Sequence, residues 1–221
     1  MQTTFLDRTI SDVVRALPAD LSPIEWDKCL SGAIGSFFIG VDEAGRGPLA
    51  GPVSAAAVIL PADHNIDALR DSKKVPEKER EELEKVIIER AIAWHVAFIE
   101  PDEIDRINIL NAALKAMAVA VAAVDLTMPN LPVIVDGNKN IPGISNDQHP
   151  LVKGDAKSAS VAAASILAKV ARDRIMDDYH KKYPQYNFDQ HKGYPTAKHY
   201  EMIKQYGASP IHRLTFKGVI Q

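Results

Sequence analysis

Two adjacent carboxylates, Asp42 and Glu43, stand between the apolar run 37–41 and the glycine-bracketed arginine of Gly45-Arg46-Gly47. Like charges side by side at the end of a segment that favours burial repel unless a cation compensates them. Hard divalent ions such as Mg²⁺ or Mn²⁺ take carboxylate oxygens as ligands. The glycines let a backbone approach a ligand closely or adopt positive φ, and Arg46 offers a forked donor suited to phosphate or hydroxyl oxygens. A solvated acidic turn would have a similar local composition. Against it, Pro48 follows, and Gly51-Pro52 opens a second apolar run, Val53 to Leu60, so one tight connection concentrates unusual backbone positions. The pattern points to a metal site beside a phosphate site.

Two further acids follow apolar runs: Asp136 after 131–135 and Asp155 after 148–152. Phosphodiester hydrolysis needs an aligned water and neutralised charge on a pentacovalent phosphate, which two divalent ions about 3.5–4 Å apart can supply. The protein's part is then a carboxylate cluster, and Asp42, Glu43, Asp136 and Asp155 offer one from three segments that a sheet could gather. Each has an ordinary alternative. Asp136-Gly137 is also a hairpin signal, and Asp155 precedes a helix that it could cap. No cysteine–histidine cluster favours zinc.

These residues resemble the signature of bacterial ribonuclease HII, the type 2 ribonuclease H family. The similarity continues in order through Asp71-Ser72-Lys73-Lys74, Val135-Asp136-Gly137-Asn138, Val152-Lys153-Gly154-Asp155, the stretch Ser165 to Asp173, and Gln190 to Thr196, covering roughly residues 37 to 218. It implies an α/β fold, a ribonuclease H-like mixed five-stranded sheet flanked by helices with a small helical C-terminal segment. It also implies an endoribonuclease that cuts the RNA strand of RNA/DNA hybrids and nicks 5′ to ribonucleotides embedded in DNA, leaving 5′-phosphate and 3′-hydroxyl ends. On this resemblance Asp42, Glu43, Asp136 and Asp155 are both the metal ligands and the catalytic acids, with Mg²⁺ or Mn²⁺ as cofactor. The backbone of Gly45-Arg46-Gly47 would contact 2′-hydroxyl and phosphate groups, and Tyr194 would stack on a deoxyribose at an RNA-to-DNA junction.

Lys73 and Lys74 are further substrate-binding candidates, ahead of Lys153, Lys169 and Arg172. Asp173, in a run of arginines, is expected to pair with a neighbouring arginine and ranks below Asp155 as a catalytic acid. His191, His199 and His212 are expected at the surface or near phosphates. A loop tyrosine such as Tyr194 can equally be a packing residue. Two other functions fit parts of the pattern: a carboxylate-dependent exonuclease of the same broad fold, and a non-catalytic hybrid binder. The second would gain nothing from an acidic cluster that repels phosphates.

The bulk properties agree with an enzyme of the cytoplasm acting as a monomer. The 221 residues are 46% hydrophobic and 25% charged, without an apolar stretch near the roughly 20 residues a membrane helix needs. The first 20 residues lack the basic-then-apolar order of a secretory signal, and Cys29 alone permits no internal disulfide. Net charge is -3, but residues 181–221 carry seven Lys and Arg against Asp189 and Glu201, giving +5 there and -8 elsewhere. A basic segment beside an acidic body suits phosphate gripping in one part and ion collection in another, although a solvated helix face reads the same way. No clamp-binding peptide is evident at the C-terminus.

The elements that must position these groups follow from periodicity and punctuation. Helices are expected at about 9–17, 23–30, 76–91, 101–127, 156–182 and 196–206; strands at 37–41, 53–60, 93–99, 131–135 and 148–152, the first two antiparallel. Residues 1–34 read as an N-terminal extension, 35–183 as the catalytic domain, and 184–221 as a C-terminal substrate-binding segment.

Overall fold

A computed structural model describes residues 9–66, 69 and 75–220. Five strands form one mixed sheet in the order β3-β2-β1-β4-β5. β1 (Ile39–Ala44) and β2 (Val53–Ile59) are antiparallel, as are β2 and β3 (Ala93–Ile99). β4 (Val133–Asp136) joins β1 in parallel and β5 (Gln148–Leu151) joins β4 in parallel. β1 runs further than expected and includes both acids, because β2 pairs with it through Ala44.

Alternation along the strands sorts side chains to two faces. Ile39, Val41, Val53, Ala55, Ala57 and Val133 pack with helix α5 (Ile109–Asp125) on one face. Ala56 and Val58 pack on the other with α3 (Glu77–Arg90) and α6 (Ala159–Lys182). Alanines 159, 162, 163, 164 and 168 let α6 lie close to the sheet, and the Ser54 hydroxyl locks it there by donating to the Ala168 carbonyl at 2.9 Å.

Two helical expectations need correction. The stretch 101–127 is not one helix: α4 (Pro101–Ile107) meets α5 at 119°. Asn108 makes the break, since it adopts φ +67° and caps α5 through its side chain. Likewise α6 is preceded by a separate 3₁₀ turn, Gly154–Ala156, with Ser158 as the helix N-cap. Past α6, where only loop was expected, lie a 3₁₀ turn at Pro184–Tyr186 and the short α7 (Phe188–His191), before α8 (Ala197–Tyr206). Among the described residues no single helix is long and apolar enough to cross a membrane.

The N-terminal helices α1 (Ile10–Ala16) and α2 (Pro23–Ile34), each with a capping box, pack through Ile10, Val14, Trp26 and Leu30 onto Phe38, Ile134, Leu151 and Val161. Asp27, buried on α2, accepts from the amides of Ala159 at 3.2 Å and Ser160 at 2.8 Å, and from the Ser160 hydroxyl at 2.7 Å. A carboxylate from outside α6 therefore satisfies the first turn of α6.

Candidate active site

Because β1 and β4 are parallel with Val41 level with Val135, Asp42 and Asp136 follow at the same height, just past the last paired residues of the two strands. Asp42 is only 4% exposed. Burial pushes its carboxyl well above the usual carboxylate range, the charges of Glu43 and Asp136 push it further, and a Ser165 hydrogen bond pulls the other way. The Glu43 amide also donates to it, at 2.6 Å. Asp136 accepts the Gly154 amide at 2.7 Å, which ties the 3₁₀ turn to the end of β4. Asp155, buried, is the next residue of that turn. Glu43 is partly buried and pairs with Arg46 at 3.2 Å.

Asp42, Glu43 and Asp136 thus share one electrostatic neighbourhood, and Asp155 directly follows Gly154, whose amide is bound to Asp136. Among the described residues no three or more Asp, Glu, His or Cys groups are gathered closely enough to hold an ion as they stand. The donor set nonetheless suits a hard divalent cation. It is all oxygen, and its mutual repulsion, registered at Asp42, is what a cation relieves.

The connection from Gly45 to Pro52 is held from inside by two buried arginines. Arg213, in the C-terminal tail, donates to the carbonyls of Gly45 (2.7 Å), Arg46 (3.1 Å), Pro48 (2.8 Å) and Gly51 (3.0 Å). Arg172 of α6 donates to Pro52 (2.9 Å), Ala50 (3.0 Å) and Lys192 (2.9 Å). Gly45 adopts φ +92°, and a Cβ there would lie 2.2 Å from Arg172 Nε, so the loop needs glycine for conformation and for space.

Tyr194, 40% exposed, lies beside Gly47, whose added Cβ would be 3.7 Å from the ring. Lys169 Nζ stands 5.6 Å from the ring centroid and the Arg172 guanidinium 6.0 Å. Gly45, Arg46, Gly47, Ser165, Lys169 and Tyr194 line a cleft of about 210 Å³, and Glu43 closes it. A second hollow of about 190 Å³ is lined by Asp136, Asn138 and Lys139 and by α5 residues. Glu43 and Arg46 line both.

Two of the three histidines overturn their expected placement, while His191 is half-buried. His199 and His212 are 0% and 2% exposed, beneath Tyr194 rather than at the surface. The Ser209 amide donates to His212 Nδ1 at 2.9 Å, which leaves His212 Nε2–H to donate to His199 Nε2 at 3.0 Å. His199 Nδ1–H then donates to the Tyr194 carbonyl at 3.0 Å. This chain of neutral rings anchors the tyrosine's backbone.

Burial, opposed by backbone hydrogen bonds, lowers both His199 and His212 to about 4. Rings depressed below their unfolded value contribute stability above about pH 6.5 and lose it progressively as pH falls toward 4. Asp27, raised by burial to about 6, runs the opposite way, as does Asp42, so a difference measurement isolates the rings. The stability lead of the wild type over His212→Gln should shrink by roughly 2 kcal/mol between pH 7 and pH 5, read by denaturant titration. A lead independent of pH would refute it.

Other expectations are corrected by partners. Asp173 pairs not with a flanking arginine but with Lys169 at 2.7 Å and Arg80 at 3.6 Å, because neighbours one residue apart on a helix do not face each other. Arg172 is fully buried on carbonyls and so is not a phosphate contact. Lys192, counted in the basic segment, pairs with Asp177. Lys73 and Lys74 lie outside the described residues. Sequence reasoning missed Arg213 and Asp27. A lone arginine among Ile211, Leu214 and Phe216 was the only signal for the first, and the second had none.

Known proteins resemble this chain over most of its length. The family profile described as Ribonuclease HII matches residues 39–219. A ribonuclease HII of Caldanaerobacter subterraneus subsp. tengcongensis is 55% identical over 181 residues, 82% of this chain and 74% of the relative. One of Endomicrobium trichonymphae is 54% identical over 180 residues, 81% of this chain and 85% of the relative. The crystal structure of the ribonuclease H2 from Pyrococcus horikoshii OT3 superposes with a TM-score of 0.67 at 30% identity, covering 83% of this chain and 95% of that one.

Proposed function

Because the chain belongs to the ribonuclease HII family of ribonuclease H-type endonucleases, we propose that it hydrolyses the RNA strand of RNA/DNA hybrids and nicks DNA 5′ to single embedded ribonucleotides. The products are 5′-phosphate and 3′-hydroxyl ends. Residues 35–183 form the catalytic domain and 184–221 the segment that completes the substrate cleft, with 1–34 as an N-terminal extension whose helices α1 and α2 pack onto Phe38, Ile134, Leu151 and Val161. The observation that carries this reading is the sharing of Glu43 and Arg46 between the two hollows, which sets an acid cluster against a glycine-flanked loop and an exposed tyrosine.

In this reading Asp42, Glu43, Asp136 and Asp155 hold Mg²⁺ or Mn²⁺. Two such ions, when bound, activate a water and neutralise charge on the attacked phosphate and its leaving oxygen. The backbone amides of the Gly45-Arg46-Gly47 loop donate to the 2′-hydroxyl and the adjoining phosphate, so a ribonucleotide is held where deoxyribose leaves the donors unpaired. Tyr194 stacks against the deoxyribose on the far side of the junction, its ring steadied by Lys169 and its backbone by His199. Arg46 pairs with Glu43 and faces solvent, placed to exchange that partner for a phosphate oxygen.

The reading is tested with a DNA duplex carrying one internal ribonucleotide. A single nick on its 5′ side is expected. End-dependent degradation, or an inert duplex, would overturn the proposal in favour of another nuclease of this fold.

A further inference from the structure

Arg213 touches no reacting group, yet its burial is costly: a guanidinium at 0% exposure whose hydrogen-bond partners among the described residues are all carbonyls. What those carbonyls have in common is the loop. Arg213 takes those of Gly45, Arg46, Pro48 and Gly51 through its side chain and that of Leu49 through its own amide at 2.8 Å, while Arg172 takes Ala50 and Pro52.

All peptides here are trans, so each N–H points opposite to the carbonyl preceding it in its own peptide plane. Holding the Gly45 carbonyl inward turns the Arg46 amide outward, and holding the Arg46 carbonyl inward turns the Gly47 amide outward. The same rule at Pro48 sends the Leu49 amide to the Gly193 carbonyl at 2.8 Å, and the Gly51 amide is taken by Ile211 at 2.8 Å. Two consecutive amides, Arg46 and Gly47, are thus directed away from the guanidinium, in a loop that lines the cleft with Tyr194. Successive outward amides form a concavity that binds an anion or hydroxyl oxygen.

We infer that Arg213 is a positioning residue for ribose recognition: by capturing the carbonyls of Gly45 and Arg46 it fixes the peptide planes whose amides read the 2′-hydroxyl. The inference rests on the proposed function and adds a determinant of selectivity remote from the substrate, contributed by the C-terminal tail. Lysine at this position keeps the charge but cannot span four carbonyls with one fork.

The test measures dissociation constants, in calcium buffer with nicking checked to be absent, for two duplexes of one sequence: one with a single ribonucleotide and one all DNA. Wild type should prefer the ribonucleotide duplex. In Arg213→Lys that preference should fall by roughly tenfold, the loss expected when two aligned hydrogen bonds are spoiled, while affinity for the all-DNA duplex stays within about twofold. A folded Arg213→Lys with unchanged preference overturns the inference. A wild type without preference overturns the proposed function instead.

Should the variant not fold, hydrogen exchange in the free wild type decides. The Arg46 and Gly47 amides should exchange quickly, while those of Leu49 and Gly51 are protected. Protected Arg46 and Gly47 amides overturn the inference whatever the substrate.

Discussion

Asp42→Asn is expected to abolish cleavage while making the metal-free protein more stable. The loss should reach roughly 10³-fold or more in kcat, the scale of several kcal/mol of charge stabilisation at the transition state. The gain follows from the same geometry. In the folded chain Asp42 is buried and faces the charges of Glu43 and Asp136, which hold its carboxyl well above the ordinary range. Its ionised form therefore opposes folding at neutral pH, and an amide of the same shape removes both the desolvation and the repulsion. A gain of about 1 kcal/mol or more corresponds to ~2–4 °C in the melting midpoint of a chain this size. The measurement is thermal melting in chelator beside steady-state kinetics. Adding Mg²⁺ or Mn²⁺ should raise the wild-type midpoint more than the variant's. A variant melting several degrees lower in chelator would mean that the acids are not gathered.

Gly40→Ala should have the largest effect on stability. A Cβ at this position in β1 would lie 2.4 Å from the Ser160 carbonyl carbon, 2.6 Å from the Val161 amide nitrogen and 2.7 Å from the Ser160 oxygen. All three are backbone atoms of α6, so no side chain can swing clear. Either the helix or the strand must move, at a cost of about 3 kcal/mol or more, or ~6–12 °C in midpoint. The displaced part is the start of α6, which follows the turn carrying Asp155, so turnover should fall with stability even at temperatures where the variant is folded. Gly32→Ala is the contrasting case. No atom lies within 4 Å of its added Cβ inside α2, and the ordinary helix preference of alanine should stabilise by about 0.5–1 kcal/mol. Equal effects from the two substitutions would show that the α6–β1 contact is looser than described.

Much of the fold is legible in the chain because the signals are local. Apolar runs of strand length mark four of the five strands, β5 being the more polar Gln148–Leu151, and small residues in 159–164 announce the close α6 packing. Asp136 is legible as a strand-end acid, whereas Asp42, expected just past its strand, lies inside β1; the parallel register of β1 with β4 makes the two neighbours. What failed to show was non-local. The break at Asn108 depends on one residue taking a left-handed conformation inside an otherwise continuous apolar stripe. The histidine chain looks basic and exposed in sequence, since nothing local tells that Ser209 and Tyr194 complete its hydrogen bonds. Arg213 contributes to the same positive count as Lys217, yet one is sealed beneath a loop and the other is at the surface. Charge tallies record how many cations a segment has, but not how many of them a substrate can meet.

The carboxylate of Asp27 at the head of α6 bears on this last point. A helix start is a natural seat for phosphate, and in this molecule a side chain from α2 already sits there, bonded to Ala159 and Ser160. The amides of Ala159 and Ser160 are therefore taken within the protein, and both residues are sealed from solvent. The consequence is one of anchorage: α2, which precedes the family-matched stretch beginning at 39, is tied to the first turn of α6 and so to the helix that follows the turn carrying Asp155.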